Sequence, residues 1–170
     1  MDTIPNPKAT DAPAKYGFYG RLKADFPSQI IVDVTEVCNL ACIHCPHPQF
    51  KESSHYAARM LDLALNAKMV DEVREHGKDC TQYIRYTSEG EPLINKHIFE
   101  MLDYAKQHSG TTVTLTTNGT LLDEKRIERL LATGIDLVDI SIDAYRPETY
   151  AKIRVKGDLN VTRANVLSLL

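Results

Sequence analysis

The chain has no apolar run near the ~20 residues that a membrane-spanning helix needs. It has no excess of one charge either. Twenty Lys and Arg stand against 23 Asp and Glu for a net charge of −3, and the basic residues are scattered. Neither a nucleic-acid groove nor an anionic membrane is therefore the expected partner. The N-terminal stretch MDTIPNPKATDAPAKYG lacks the basic start and apolar core of a secretory signal, so the expected compartment is the cytoplasm. There is no internal repeat and no low-complexity segment. Cysteine is scarce, at four residues in 170, and in a reducing compartment clustered thiols serve metals or catalysis rather than disulfides. What remains is a single-domain length with 43% hydrophobic and 25% charged residues, the balance of a soluble globular protein.

Residues 1–28 hold four of the eight prolines and read as an extended lead segment. From residue 29 to 170 the order is regular. IIVDVTE is a β-branched strand that ends at a cysteine-containing loop. LDLALNAKMVDEVREHG follows as a helix whose stripe is Leu61, Leu65, Met69, Val70 and Val73, closed by Gly77. QYIRYTS is a second strand. KHIFEMLDYAKQHSG is a second helix with Ile98, Met101, Leu102 and Ala105 on one face. TVTLTTNG is a third strand, and LLDEKRIERLLATG a third helix with Asp123 as N-cap and Ile127, Leu130 and Leu131 as its stripe. DLVDISID is a fourth strand, and PETYAKIR and VTRANVLSLL are helical again. Strands alternating with helices predict an α/β fold with a parallel sheet and right-handed crossovers.

The strands alternate where doubly covered parallel strands usually do not. Ile30, Val32 and Val34 alternate with Asp33 and Thr35; Val113 and Leu115 with Thr114, Thr116 and Asn118; Val138, Ile140 and Ile142 with Asp139, Ser141 and Asp143. Each strand thus has one greasy face for the helices and one polar face. A polar face on a barrel-like sheet lines a lumen that holds a polar ligand near the C-terminal strand ends; the alternative is an open sheet with one solvated face.

The loop after the first strand reads VCNLACIHCPHP, placing Cys38, Cys42 and Cys45 in the spacing C-x3-C-x2-C. A zinc site wants four ligands, which His44 and His47 could complete on paper. A four-iron cluster normally takes four thiolates, so three leave one iron open, and an open coordination position binds a reactant. The remaining thiol, Cys80, lies between a helix and a strand and reads as an inert buried residue.

With that spacing the chain resembles the radical S-adenosylmethionine enzymes, whose hallmark is C-x3-C-x2-C after the first strand of a partial (βα)6 barrel. Three further stretches resemble the family in order: TSEGEPL after the second strand, with Ser88 where glycine is common; TTNGTLL after the third; and ISIDAYRPETYAKIR on and after the fourth. The resemblance covers about residues 29–170, four βα units of the usual six. It implies that Cys38, Cys42 and Cys45 ligate a [4Fe-4S] cluster whose fourth iron is chelated by S-adenosylmethionine. It further implies that Gly90 and Glu91 face the cofactor's amino group, that Ser141 and Asp143 meet the ribose, that Asn118 joins them, and that His44 lies beside the adenine. Glu89 could touch the cofactor or be a solvated carboxylate, and Arg85 could meet a carboxylate or pair with a lumen aspartate. The implied chemistry is reductive cleavage of the cofactor to a 5′-deoxyadenosyl radical that abstracts a substrate hydrogen, with flavodoxin or ferredoxin as one-electron donor.

The family's barrel normally has six strands, and the sequence ends within a helix after the fourth. The expectation is a portion of a longer enzyme, or else a half-barrel closed by a second copy or a partner. The substrate is not legible. A non-catalytic iron–sulfur or zinc-binding scaffold is the competing function, although such a scaffold has no need of GEP.

Overall fold

A computed structural model describes residues 25–87 and 89–170. The lead segment up to residue 24, and Ser88, lie outside the described residues. The chain runs β1 (Gln29–Asp33), α1 (His47–Lys51), α2 (Leu63–His76), β2 (Tyr83–Thr87), a 3-10 turn at Pro92–Ile94, α3 (Ile98–His108), β3 (Thr112–Thr117), α4 (Glu124–Ala132), β4 (Leu137–Ile140), α5 (Pro147–Ile153) and α6 (Leu159–Leu169). The strands form one open parallel sheet in the order β1-β2-β3-β4. Each of the three connections between strands carries a helix, the crossover that parallel pairing requires.

Register explains the alternation read from the sequence. Ile30 pairs with Ile84 and Ile84 with Val113; Val32 pairs with Tyr86, Tyr86 with Leu115 and Leu115 with Val138. These rows form one apolar face, against which Val70 and Val73 of α2, Met101, Leu102 and Ala105 of α3, and Ile127 and Leu130 of α4 complete the core. Complete burial of an aliphatic side chain contributes ~1.5–3 kcal/mol, so this face is the main source of stability. One polar pair sits inside it: the Tyr86 hydroxyl donates to Asn66 Oδ1 at 2.6 Å, which is how a buried phenol is satisfied. The opposite face carries Asp33, Arg85, Thr114, Thr116 and Asp139, in register across the four strands.

The helix starts follow their caps. Asp62, Asp123 and Asp158 each accept a hydrogen bond from a first-turn amide of α2, α4 and α6. Gly110 and Gly134 take φ of +68 after α3 and α4, the left-handed region that glycine enters freely. Some stripe residues were assigned inward wrongly. Leu65 is 54% exposed, Leu131 58% and Ile142 42%, because β4 ends at Ile140 and the helices bury a narrower face than a 3.6 period allows. The short helix α1, beginning at Pro46–His47 just beyond the third cysteine, had no periodicity by which to be found.

Candidate functional site

The site is built at the C-terminal ends of β1, β2 and β3. Leaving β1, the chain passes Thr35 and Glu36, which fasten it to segment 57–61 before the first cysteine. Thr35 bridges to Met60, and Glu36 accepts from the Ala57 and Arg59 amides at 3.0 Å and from Arg59 Nε at 2.7 Å. The Arg59 and Ala57 amides, with the Arg59 guanidinium, hold the Glu36 carboxyl below its ordinary value. His47 closes the loop from the other side, its Nε2 lying 2.7 Å from the Glu36 carbonyl oxygen. At 3% exposure it is a buried pin.

The cysteine loop is then tied to three different parts of the fold. The Gly90 amide donates to the Thr35 carbonyl at 3.1 Å and the Glu91 amide to the Val37 carbonyl at 2.8 Å. The Ala41 and Ile43 amides donate to the Val155 and Ile153 carbonyls at 2.9 Å, carrying the loop across to the end of α5. Between Cys38 and Cys42, Asn39 accepts from Asn118 Nδ2 at 2.9 Å and donates to Thr120 Oγ1 at 2.8 Å. A loop held this way keeps its thiols in place at little further entropic cost.

Cys38, Cys42 and Cys45 border one cleft of about 210 Å³, together with Thr87, Glu89, Gly90, Glu91, Thr116, Asn118, Ser141 and Arg154. His44 lines it as well. The structure thus brings nine of the ten expected site residues to one cavity. The tenth, Asp143, lies beside it and accepts from Arg154 Nε at 2.6 Å, with His44 Nε2 at 3.7 Å.

Two of the expected residues also brace the fold. The Glu91 carboxylate, 2% exposed, accepts from Thr117 Oγ1 at 2.6 Å, the Leu93 amide at 3.1 Å and the Asn118 amide at 2.8 Å. It ties the loop after β2 to the end of β3. Burial pushes its carboxyl up while those donors oppose the shift. The close approach that Gly90 permits is to the cysteine loop: a Cβ there would stand 2.2 Å from the Val37 oxygen. Arg154, only 8% exposed, lines the cleft and was passed over by sequence reasoning; it closes AKIR, within a stretch quoted for other residues. Asn39, Thr117 and Thr120 were missed too, because their partners lie far along the chain.

The donor set suits an iron–sulfur cluster, which takes one thiolate per iron and whose ligands stand around it. The Leu40 amide approaches Cys38 Sγ and the His47 amide Cys45 Sγ at 3.4 Å, the kind of hydrogen bond that tunes cluster sulfurs. Burial pushes the Cys38 and Cys42 thiols up, and the Arg154 guanidinium pulls Cys42 back.

A parallel (βα) sheet with a three-thiol loop and a polar cleft at its C-terminal edge is the frame of a cluster-binding partial-barrel enzyme. The profile of the Radical SAM superfamily matches residues 32–169, and the chain belongs to that superfamily. It is 35% identical over 128 residues to the AdoMet-dependent heme synthase of Methanosarcina barkeri, covering 75% of this chain and 34% of that protein. It is 33% identical over 131 residues to the GTP 3′,8-cyclase of Desulforamulus reducens, covering 76% and 38%. The solved structure of native anSMEcpe with bound AdoMet superposes with a TM-score of 0.64 at 23% identity, covering 83% of this chain and 40% of that one. BtrN in complex with AdoMet and 2-DOIA gives 0.58 at 23%, covering 80% and 54%. The chain therefore spans between a third and two fifths of the length of these curated relatives. The four strands correspond to part of a (βα) barrel, as expected. Among the described residues, no helix is long and apolar enough to cross a membrane.

Proposed function

We propose that Cys38, Cys42 and Cys45 hold a [4Fe-4S] cluster whose open iron binds S-adenosylmethionine, and that the protein abstracts a substrate hydrogen. When bound, the cluster supplies the electron that cleaves the cofactor reductively to methionine and a 5′-deoxyadenosyl radical. The observation that carries this reading is the gathering of three thiols, the Gly90–Glu91 loop, Asn118, Ser141 and Arg154 around one cleft.

The chain's own residues bind, orient and shield. Ser141 offers a hydroxyl at the β4 edge of the cleft, and Glu89 a carboxylate at its opening. Arg154, held by Asp143, presents a buried cation to the anionic end of an amino-acid cofactor. His44 on the rim offers a flat ring against an adenine. A small acidic redox protein of the flavodoxin or ferredoxin type would deliver the electron. The open edges of the sheet suit either further strands or a second copy of the chain. Free thiols in this number fit a reducing compartment, the cytoplasm. The heme synthase and the GTP cyclase act on different substrates, so the likeness to them leaves the substrate open.

The test is anaerobic reconstitution with iron and sulfide, reduction by dithionite, and chromatography for 5′-deoxyadenosine after S-adenosylmethionine is added. Formation of 5′-deoxyadenosine that disappears in Cys42→Ala supports the reading. A colourless protein that instead retains one zinc per chain overturns it.

A further inference from the structure

The polar face of the sheet carries a feature the cluster site does not use. Arg85 on β2 is the register partner of Thr114 on β3, and Thr116, two residues further along β3, is the register partner of Asp139 on β4. Among the described residues, Arg85 Nε, Thr114 Oγ1 and Thr116 Oγ1 are buried and have no hydrogen-bond partner. Thr114 is 4% exposed, although it sits on the face away from the helices. Leaving a buried donor unsatisfied is costly, so three together on one patch mark a place built for a further group.

Charge and geometry say which group. The Arg85 guanidinium turns one NH2 toward Asp139 at 3.6 Å and stands over the Tyr83 ring, its carbon 5.4 Å from the ring centre. Those contacts orient it and leave its buried Nε without a hydrogen-bond partner. Two residues along a strand place the Thr114 and Thr116 positions about 6.6 Å apart on one face. That spacing lets one ligand group meet both hydroxyls. All three free groups can donate, and one is a permanent cation, so the complement is an oxyanion. The patch is continuous with the cluster cleft, since Thr116 lines that cleft as well.

We infer that Arg85, Thr114 and Thr116 form an oxyanion subsite that adjoins the cleft at Thr116 and reads a carboxylate or phosphate group of the substrate. The inference rests on the radical S-adenosylmethionine reading for what the neighbouring cleft does, but its binding chemistry is independent of the cluster. Asp139 acts as a positioning residue, fixing the guanidinium so that its Nε edge faces the ligand.

The experiment follows the Arg85 Nε–H signal by 15N NMR in the full 170-residue chain, assigned through Arg85→Lys, during separate titrations with inorganic phosphate and with acetate. A saturable shift with either anion is expected. In Thr114→Val/Thr116→Val, which keeps the side-chain shape, the midpoint should weaken about thirtyfold, as loss of two hydrogen bonds worth ~1 kcal/mol each predicts. Tighter binding of phosphate identifies a phosphorylated substrate group, and tighter binding of acetate a carboxylate. A drift that never saturates overturns the inference, as does an unchanged midpoint in a double valine variant with unchanged thermal melting. Arg85→Gln should lose the anion response. A wild-type chain that binds the anions but forms no cluster would remove the cluster reading and leave the subsite standing.

Discussion

Gly90 and Val37 touch backbone to backbone. The Cβ of any other residue at 90 would stand 2.2 Å from the Val37 oxygen and 2.6 Å from the Thr35 oxygen, both main-chain atoms one to three residues before Cys38. The loop after β2 can brace the cysteine loop only with hydrogen at that position. Gly90→Ala must push the two loops apart, with a destabilisation toward the upper end of the ~1–3 kcal/mol typical of overpacking. Urea melts and iron content after reconstitution should fall together. A variant as stable as the parent would show that the contact does not brace the loop.

Glu91 is a structural carboxylate, so Glu91→Gln should be felt before any cofactor is added. An amide supplies one acceptor where the carboxylate supplies two, and its NH2 would face the Asn118 amide or the donors of Leu93 and Thr117. The expected loss is ~1–3 kcal/mol of unfolding free energy. Equilibrium denaturation without cluster or cofactor measures it directly.

Asp143 separates two roles in the same way. If it only met a ribose, Asp143→Asn would leave the ligand-free protein unchanged. Its bond to the buried Arg154 predicts otherwise: replacing a charge-assisted bond by a neutral one should cost about 1–2 kcal/mol, moderated because Asp143 is itself partly exposed. A thermal melt of the unliganded variant decides between them.

Asp136 gives the pH dependence. Burial opposes its ionisation, but the Lys106 ammonium at 2.7 Å and the Val113 amide at 2.7 Å outweigh it and hold the carboxyl below its ordinary 3.8. A carboxyl lowered by folding adds stability above its unfolded value and loses it as pH falls through the folded one. Asp136→Asn should therefore be less stable than the parent at neutral pH by about 1 kcal/mol, discounted for the exposure of the pair. The gap should close below pH 3.8, as urea midpoints across the acid range would show.

Much of this was legible in the sequence because it is periodic or local. The strand rows Val32, Tyr86 and Leu115 alternate as strands must, Asp123 capped the helix it was expected to cap, and the cysteine spacing led directly to the cleft. What stayed hidden depends on long-range partners. Glu91 reaches across 26 residues to Thr117, Asn39 across 79 to Asn118, and the cysteine loop meets Val155 through main-chain atoms that no side chain announces. The burial of His47 was not legible because burial of a lone polar side chain is set by its acceptor, here the Glu36 carbonyl, rather than by any pattern around it.

The central claim is that three thiolates leave one iron of a cluster open to S-adenosylmethionine. The most direct test is the Mössbauer spectrum of the chain reconstituted with 57Fe, recorded with and without the cofactor. The account predicts a [4Fe-4S] spectrum in which one iron of four changes on addition of S-adenosylmethionine while the other three hold. Four irons that all ignore the cofactor, or a protein that takes up zinc and no cluster, would contradict it.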